Sequence, residues 1–187
     1  MLDAYEQVIK ENPNLRPGTL AVEQAFLADE AVRQRAIQLG VSVTVQHPLT
    51  YALGAQLLAK RGKERTARAM PIGAWVTDGA QVAAGSNSPP AAPDPLQAIW
   101  GMVTRGTRQV GVQGLKYAVD RLTAFQLYTL GSARFYWEDD RRGTLQPGRL
   151  ADLVAYRGDP LTRPIDDLLK LRPMLTMVGA APYSIPT

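Results

Sequence analysis

Cysteine is absent from this chain of 187 residues, and histidine occurs once. Without cysteine there is no disulfide scaffold, no thiolate nucleophile and no cysteine-based zinc site. A single histidine likewise excludes a His-x-His metal pair. No run approaches the roughly 20 uninterrupted apolar residues of a membrane helix. The N-terminus MLDAYEQVIK also lacks the apolar core of a signal peptide, so we expect no membrane association and a cytoplasmic location.

Charge is sparse and weakly patterned. Charged residues make up 20% of the chain and hydrophobic residues 45%, which is typical of a packed globular protein. The net charge is +4, and the densest basic run is KRGKERTAR, at 60–68. Glu64 interrupts this run and no aromatic residue lies within it, which favours a solvated helix face over a nucleic-acid site. We therefore expect no nucleic-acid partner, and steeply salt-dependent binding to DNA or RNA would contradict this expectation.

Apolar runs alternate with helical patterns over the first 140 residues. Strands are predicted at TLAVEQAF, VSVTVQ and AQVAAGSN, and helices over 2–11, 28–40, 51–68 and 95–105. Repeated strand–helix units predict an α/β fold with three parallel strands and covering helices. Beyond residue 140, glycine and proline turns separate short apolar runs, which is typical of β-hairpins. The predicted division is therefore 1–140 for the strand–helix units and 141–187 for a small β-sheet segment.

Helix ends are also marked in the sequence. Asp29 is a predicted N-cap for the helix that Gly40 ends, because aspartate accepts backbone N–H groups and glycine tolerates the left-handed conformation. In RLTAFQLYTL, Thr123 and Gln126 have the spacing of a capping box, which predicts that this helix has Thr123 as its N-cap.

Several stretches together resemble one family. GTLQPGRLADLVAYRGDPL resembles the C-terminal signature of the amidohydrolase superfamily. LGVSVTVQHP, MPIGAWVTDGAQVAAGSNSP, DPLQAIWGMVTRGT and RLTAFQLYTLGSA resemble successive pieces of its amidohydrolase-3 branch, the N-substituted formamide deformylase-like proteins. The resemblance covers almost the whole chain in the right order. It implies that the three strands are the sixth, seventh and eighth of a (β/α)-barrel, and that 141–187 contributes strands to a small β-sandwich.

The resemblance also implies a chemistry. Proteins of this family hydrolyse C–N bonds of small amides or formamides with one or two divalent metals such as zinc. The metal polarises the carbonyl and activates water, and an aspartate at the end of the eighth strand takes the proton. The metal ligands are a His-x-His pair on the first strand, a lysine or carboxylate on the fourth, and histidines on the fifth and sixth.

At two family positions this chain carries amides. Gln24 stands at the metal-binding histidine of the sixth strand, and Asn87, in Gly85-Ser86-Asn87, stands at the catalytic aspartate. An amide is a weak metal ligand and accepts no proton near neutral pH. Gly73 stands where the branch often has an arginine. We therefore expect this chain to bind no metal and to be inactive alone, while simple strand-end amides that satisfy backbone groups remain an alternative reading.

Substrate-pocket candidates are His47, Gln46 and Ser86, because barrel sites lie at the C-terminal ends of strands. A loop or first-turn contact is the alternative for His47. Glu23 adjoins Gln24 and is therefore predicted to point to the opposite face of the strand.

Beside a basic nucleic-acid-binding domain, which the charge pattern does not favour, two functions remain open. The chain is either the C-terminal segment of a metal-dependent C–N hydrolase or a non-catalytic binding or assembly protein that uses the barrel-end pocket. Three parallel strands leave two open sheet edges. Under both functions we therefore expect a homo-oligomer, or pairing with the missing barrel half.

Overall fold

The computed structural model describes residues 1–183. The helices are α1 Leu2–Glu11, α2 Glu30–Gln38, α3 His47–Ala67, α4 Ile72–Thr77, α5 Pro95–Thr104, α6 Arg121–Gln126 and α7 Ser132–Phe135. A π-helical segment, Leu127–Gly131, joins α6 to α7, and short 3-10 helices cover Leu115–Tyr117 and Ile165–Lys170. The strands are β1 Ala21–Val22, β2 Ser42–Val45, β3 Val82–Ala84, β4 Leu153–Tyr156, β5 Pro173–Val178 and β6 Ala181–Tyr183. Within this part of the chain, no helix has both the length and the apolarity to cross a bilayer.

The strands form two separate sheets. The first is parallel with the order β1-β2-β3, and Val43 pairs with Val22 on one side and Val82 on the other. The second is antiparallel with the order β4-β5-β6. The α/β class and the three parallel strands are therefore confirmed. Since the three strands are parallel, their carboxyl ends meet at the same edge of the sheet.

The parallel sheet lies at the centre of the hydrophobic core. Val43 and Val45 of β2 are fully buried, and all four residues of this strand are enclosed. The helices and the link between α3 and α4 cover the sheet through buried side chains that include Met70, Ile72, Trp75, Ile99 and Met102. A continuous apolar strand flanked by helices is typical of parallel sheets, because both of their faces are covered.

Capping residues set the helix starts. Asp29 caps α2 as predicted, accepting the Val32 backbone N–H at 2.9 Å, and Gly40 follows the helix with a φ of 65°. The Thr123 prediction was wrong, because α6 begins at Arg121 and Asp120 is its N-cap. The Asp120 carboxylate accepts both the backbone N–H and the hydroxyl of Thr123. These hydrogen bonds hold the pKa of Asp120 below its usual value.

Replacing Asp120 with alanine is expected to destabilise the protein by about 1 kcal/mol, the usual cost of losing an N-cap. Asp140, which is exposed, provides the matched aspartate-to-alanine control, for which a change within about 0.5 kcal/mol is expected. Urea unfolding of both variants measures the difference, and equal stabilities would contradict the assigned cap.

Both edges of the parallel sheet make contacts with helices. The Ser42 N–H donates to the carbonyl of Leu20. Since successive residues of a strand direct their backbone groups to opposite sides, Ala21, which follows Leu20, directs its own away from β2. There the Ala21 carbonyl accepts a hydrogen bond from Tyr5 of α1 at 2.8 Å. At the other edge, the Ala84 carbonyl accepts one from Ser132 of α7 at 3.3 Å. One carbonyl on each edge is therefore occupied by a side chain of this chain, and the expected oligomer stays a prediction.

Two predicted boundaries were inaccurate. The first strand was predicted over eight residues, but only Ala21–Val22 pairs with β2. The helix after β2 was predicted from residue 51 but begins at His47, where Pro48 occupies the first turn. Proline fits the first turn of a helix because its missing N–H has no partner there.

Candidate functional site

Polar side chains converge where the three parallel strands end. Glu23 and Gln24 follow β1, Gln46 follows β2, and Asn87 lies three residues beyond β3. Gln24 Nε2 lies 3.5 Å from Asn87 Oδ1, at the outer limit of a hydrogen bond. The structure therefore brings together the two amides that the family resemblance assigned to one site. We call the following group the strand-end cluster: Glu23, Gln24, Thr44, Gln46 and Asn87.

Left-handed backbone conformations bring these side chains together. The φ of Gln24 is 68°, that of Ala25 is 35° and that of Asn87 is 53°. Residues other than glycine are uncommon in this region, and they occur often at functional sites. Each of these turns redirects the chain immediately after a short strand, and the two amides face one another as a result.

Glu23 points into the cluster, so the prediction that it faces away was wrong. Its Oε2 accepts hydrogen bonds from the Thr44 hydroxyl and from Gln46 Nε2, the latter at 3.2 Å. Side chains alternate between faces only within a regular strand. Because β1 ends at Val22, that alternation does not extend to Glu23.

Thr44 connects the cluster through its hydroxyl group. Its Oγ1 lies 3.1 Å from the backbone nitrogen of Gln24 and 2.7 Å from Gln46 Nε2, and both of these groups can only donate. The single hydroxyl proton must therefore point to Glu23. The result is a directed chain of hydrogen bonds from the Gln46 amide through Thr44 to the Glu23 carboxylate.

Gln46 is a buried member of the cluster and is only 6% exposed. Its amide nitrogen is engaged, whereas its Oε1 is buried without a hydrogen-bond partner among residues 1–183. Gln46 was a predicted pocket residue, whereas Thr44 was not. The spacing Ser42, Thr44, Gln46 was the available signal, because it places three polar side chains on one face of a strand.

His47 lies apart from the cluster, enclosed between helices. It is 1% exposed, and neither ring nitrogen has a partner within the described residues. A methyl group built on Gly101 of α5 would lie 2.0 Å from its Nδ1, so only glycine leaves room for the ring. Burial and the nearby Arg105 cation hold the pKa of His47 well below its usual 6.5. Its predicted contact with substrate remains untested.

Ser86 links the strand ends to a neighbouring cavity. Its hydroxyl lies 3.2 Å from that of Tyr128, which the π-helical segment carries towards β3. Burial raises the pKa of Tyr128 to about 12, so the phenol stays protonated at neutral pH. Tyr128 also lines a cavity of about 710 Å³ between the helices and the antiparallel sheet, and its walls are mostly apolar. Tyr128 was not among the predicted site residues.

Gly73 occupies a position too narrow for any side chain. A methyl group built on it would lie 2.5 Å from the carbonyl oxygen of Ala118. The arginine that the family branch often has here would require the backbone near Tyr117 and Ala118 to move. The absence of this cation therefore matches the local packing of this chain.

The donor groups of the cluster decide whether it fits a zinc ion. Gln24 Nε2 and Asn87 Oδ1 lie 3.5 Å apart, which is the distance of a long hydrogen bond between two amides. Zinc, however, takes imidazole, thiolate or carboxylate ligands, and an amide nitrogen is no ligand. In residues 1–183 no three His, Cys, Asp or Glu side chains are placed to hold a metal ion. The residues present do not fit a zinc site.

Comparisons with known proteins agree with the fold. Residues 1–181 match the model of the amidohydrolase family. An N-substituted formamide deformylase from Arthrobacter pascens is 25% identical over 179 residues, 95% of this chain and 33% of the relative. An uncharacterised metal-dependent hydrolase from Pyrococcus horikoshii OT3 superposes with a TM-score of 0.71 at 24% identity, over 88% of this chain and 32% of that one.

A zinc-bound adenosine deaminase from Xanthomonas campestris also has a similar fold, with a TM-score of 0.62 at 18% identity over 94% of this chain and 39% of that one. The chain spans only about a third of the length of the deformylase and of the Pyrococcus hydrolase. The family model nevertheless matches it almost from end to end. By this match, the chain belongs to the amidohydrolase family.

Proposed function

We propose that this chain is the C-terminal part of a hydrolase that acts on C–N bonds of small-molecule amides, and that it does not hydrolyse them alone. One observation carries the proposal: three parallel strands bring their ends together, yet the strand-end cluster holds one carboxylate, three amides and no imidazole. This observation supports a hydrolase site that keeps its place at the strand ends and lacks, within the described residues, three side chains that could hold a metal ion.

In this proposal, residues 1–140 form the last three βα units of a (β/α)-barrel and 141–187 form part of a small β-sandwich. The order β1-β2-β3 in one parallel sheet supports the first assignment, and the separate antiparallel sheet supports the second. The length of the relatives supports both, since about two thirds of the deformylase has no counterpart in this chain. A barrel of eight strands needs five more than the three found here.

The proposed inactivity follows from the groups in the cluster. A general base must accept a proton from water, and the Asn87 amide cannot do so near neutral pH. Glu23 is the one carboxylate of the cluster, and its Oε2 already accepts two hydrogen bonds. This oxygen is therefore engaged with Thr44 and Gln46 inside the cluster.

The purified chain is expected to release no amine from N-butylformamide above the buffer rate, with or without added zinc. The assay follows amine release by a colorimetric reagent, and circular dichroism confirms that the chain is folded. Zinc-dependent turnover that disappears in Gln24→Ala or Asn87→Ala would contradict the proposal.

Exchanging the two amides for the histidine and the aspartate that the family has at these positions is expected to create a metal site. In the double variant Gln24→His with Asn87→Asp, an imidazole and a second carboxylate join Glu23, and zinc affinity should rise at least about tenfold. Gln109→His with Asn14→Asp is the matched control, because these exposed residues make no contact with the cluster. Calorimetric titration with zinc compares the variants, and equal affinities would show that the cluster does not have the geometry of a metal site.

The alternative function is that of a non-catalytic binding or assembly protein. The missing metal ligands favour it, whereas the helix contacts at both sheet edges do not favour assembly through those edges. Size-exclusion chromatography with light scattering distinguishes the two forms of the alternative. An oligomer would support an assembly protein. A folded monomer would leave ligand binding in the barrel-end pocket as the remaining form of the alternative.

A further inference from the structure

The strand-end cluster leaves several hydrogen-bond acceptors free. The amide nitrogens of Gln46 and Gln24, the Thr44 hydroxyl and the Gln24 backbone N–H each donate to an acceptor inside the cluster, whereas Asn87 Nδ2 has no acceptor among residues 1–183. Three oxygens receive no hydrogen bond from residues 1–183: Glu23 Oε1, Gln24 Oε1 and Gln46 Oε1. A ligand that donates hydrogen bonds to these three oxygens would complement this arrangement.

The charge of the cluster points to the same kind of ligand. Glu23 is its one charged side chain, so the cluster carries a single negative charge that a monovalent cation would balance. Glu23 and Gln24 are exposed, and Asn87 is partly exposed, so a small ligand has access to them. Gln46 contributes a further amide oxygen that receives no hydrogen bond, although this residue is only 6% exposed.

We propose that the strand-end cluster binds a small primary ammonium ion, R–NH₃⁺. Its three N–H groups would be shared among the free oxygen of Glu23 and the amide oxygens of Gln24 and Asn87. The present contact between those two amides is 3.5 Å long, so it costs little to replace. A hydrogen bond between charged groups is about twice as strong as a neutral one, which places Glu23 at the centre of recognition.

Metal ions fit this arrangement less well. Zinc prefers nitrogen and sulfur ligands, which the cluster lacks. Calcium needs about six to eight oxygen ligands, commonly several carboxylates, and magnesium needs a near-ideal octahedron. One carboxylate and a few amide oxygens satisfy neither, whereas an ammonium ion needs only three acceptors.

This inference rests on the proposed function, because it concerns the same strand ends. Hydrolysis of an amide C–N bond yields a carboxylic acid and an amine, and a simple alkyl amine is protonated at neutral pH. An ammonium site would therefore retain the part of the chemistry that recognises the amine product, after the part that breaks the bond has been lost.

The experiment titrates the ¹⁵N-labelled chain with n-butylammonium chloride at constant ionic strength and follows backbone amide signals by NMR. Saturable shifts are expected at the residues that follow β1, β2 and β3. Glu23→Gln should weaken binding at least about tenfold. Asn87→Asp adds a second carboxylate and should strengthen it severalfold. Glu11→Gln is the matched control and should bind as the parent does, because Glu11 is exposed at the far end of α1.

Tetramethylammonium chloride tests whether N–H donors matter, since it has the same charge and none of them. It should cause no saturable shifts at these residues. Equal binding of both cations, or no binding of n-butylammonium to the folded chain, would overturn the inference and leave the proposed function intact. Stoichiometric zinc at Glu23 together with amide turnover would overturn both.

Discussion

Replacing Arg105 with leucine is expected to lower the free energy of unfolding by about 3–5 kcal/mol. The Arg105 side chain has no exposed surface, and its guanidinium donates hydrogen bonds to three backbone carbonyls. These belong to Ala69 at 2.6 Å, Met70 at 2.8 Å and Gln113 at 3.1 Å. Leucine would leave the Ala69 and Gln113 carbonyls without this partner, at about 1–3 kcal/mol each, whereas the Met70 carbonyl still accepts the Ile72 N–H.

The position of Arg105 in the chain explains why its replacement would destabilise more than one segment. It ends α5 in a left-handed conformation, with a φ of 57°, and its side chain reaches back to the link between α3 and α4. Burial lowers its pKa to about 10, yet at neutral pH it remains charged. Since the carbonyl dipoles compensate this charge, the side chain ties the end of α5 to two other segments.

Chemical denaturation measures the loss, provided that the free energy of unfolding of the variant and of the parent depends equally steeply on denaturant concentration. Arg105→Lys should fall between the parent and Arg105→Leu, because one ammonium group cannot reach three carbonyls as the planar guanidinium does. Arg108→Leu is the control, since Arg108 is exposed and should change stability by less than about 0.5 kcal/mol. A loss below about 1 kcal/mol for Arg105→Leu would show that these bonds contribute little.

The general fold could be predicted from sequence because its signals are local. Alternating valines in VSVTVQ predicted β2, and Asp29 with Gly40 marked both ends of α2. The start of α6 was predicted wrongly because two side chains compete for the backbone N–H of Thr123. In the predicted capping box the Gln126 amide would accept it. Asp120 accepts it from Thr123, and a carboxylate is the stronger acceptor of the two.

The candidate site was only partly predictable. The family resemblance named Gln24 and Asn87, and they do meet, but the resemblance is silent on Thr44 and Tyr128. The direction of Glu23 depends on where β1 stops and on a left-handed residue after it, and neither is encoded in a local pattern. Packing against Gly101 similarly decides that His47 is enclosed, through a contact between residues more than 50 positions apart.

Acidification is expected to destabilise this protein through His47. The imidazole is buried, faces the Arg105 cation and has no acceptor within residues 1–183, so the folded chain keeps it neutral. The unfolded chain protonates it with a pKa of about 6.5. Below that value the unfolded state binds one proton more than the folded state, so the free energy of unfolding decreases as the pH decreases.

The expected size is about 1.4 kcal/mol for each pH unit below 6.5, or about 2 kcal/mol between pH 7 and pH 5. Because the chain has one histidine, this part of the profile can be assigned to a single group. The carboxylates contribute mainly below pH 5, where their ordinary pKa values lie.

Unfolding curves at several pH values for the parent and His47→Leu provide the measurement. Leucine cannot titrate, so the difference in stability between the two proteins should change by about 2 kcal/mol from pH 7 to pH 5, whatever leucine does to packing. Taking this difference also removes the contribution of the carboxylates, which both proteins share. A difference that stays constant with pH would mean that the folded protein protonates His47 as readily as the unfolded chain does, which its enclosure against Gly101 and Arg105 argues against.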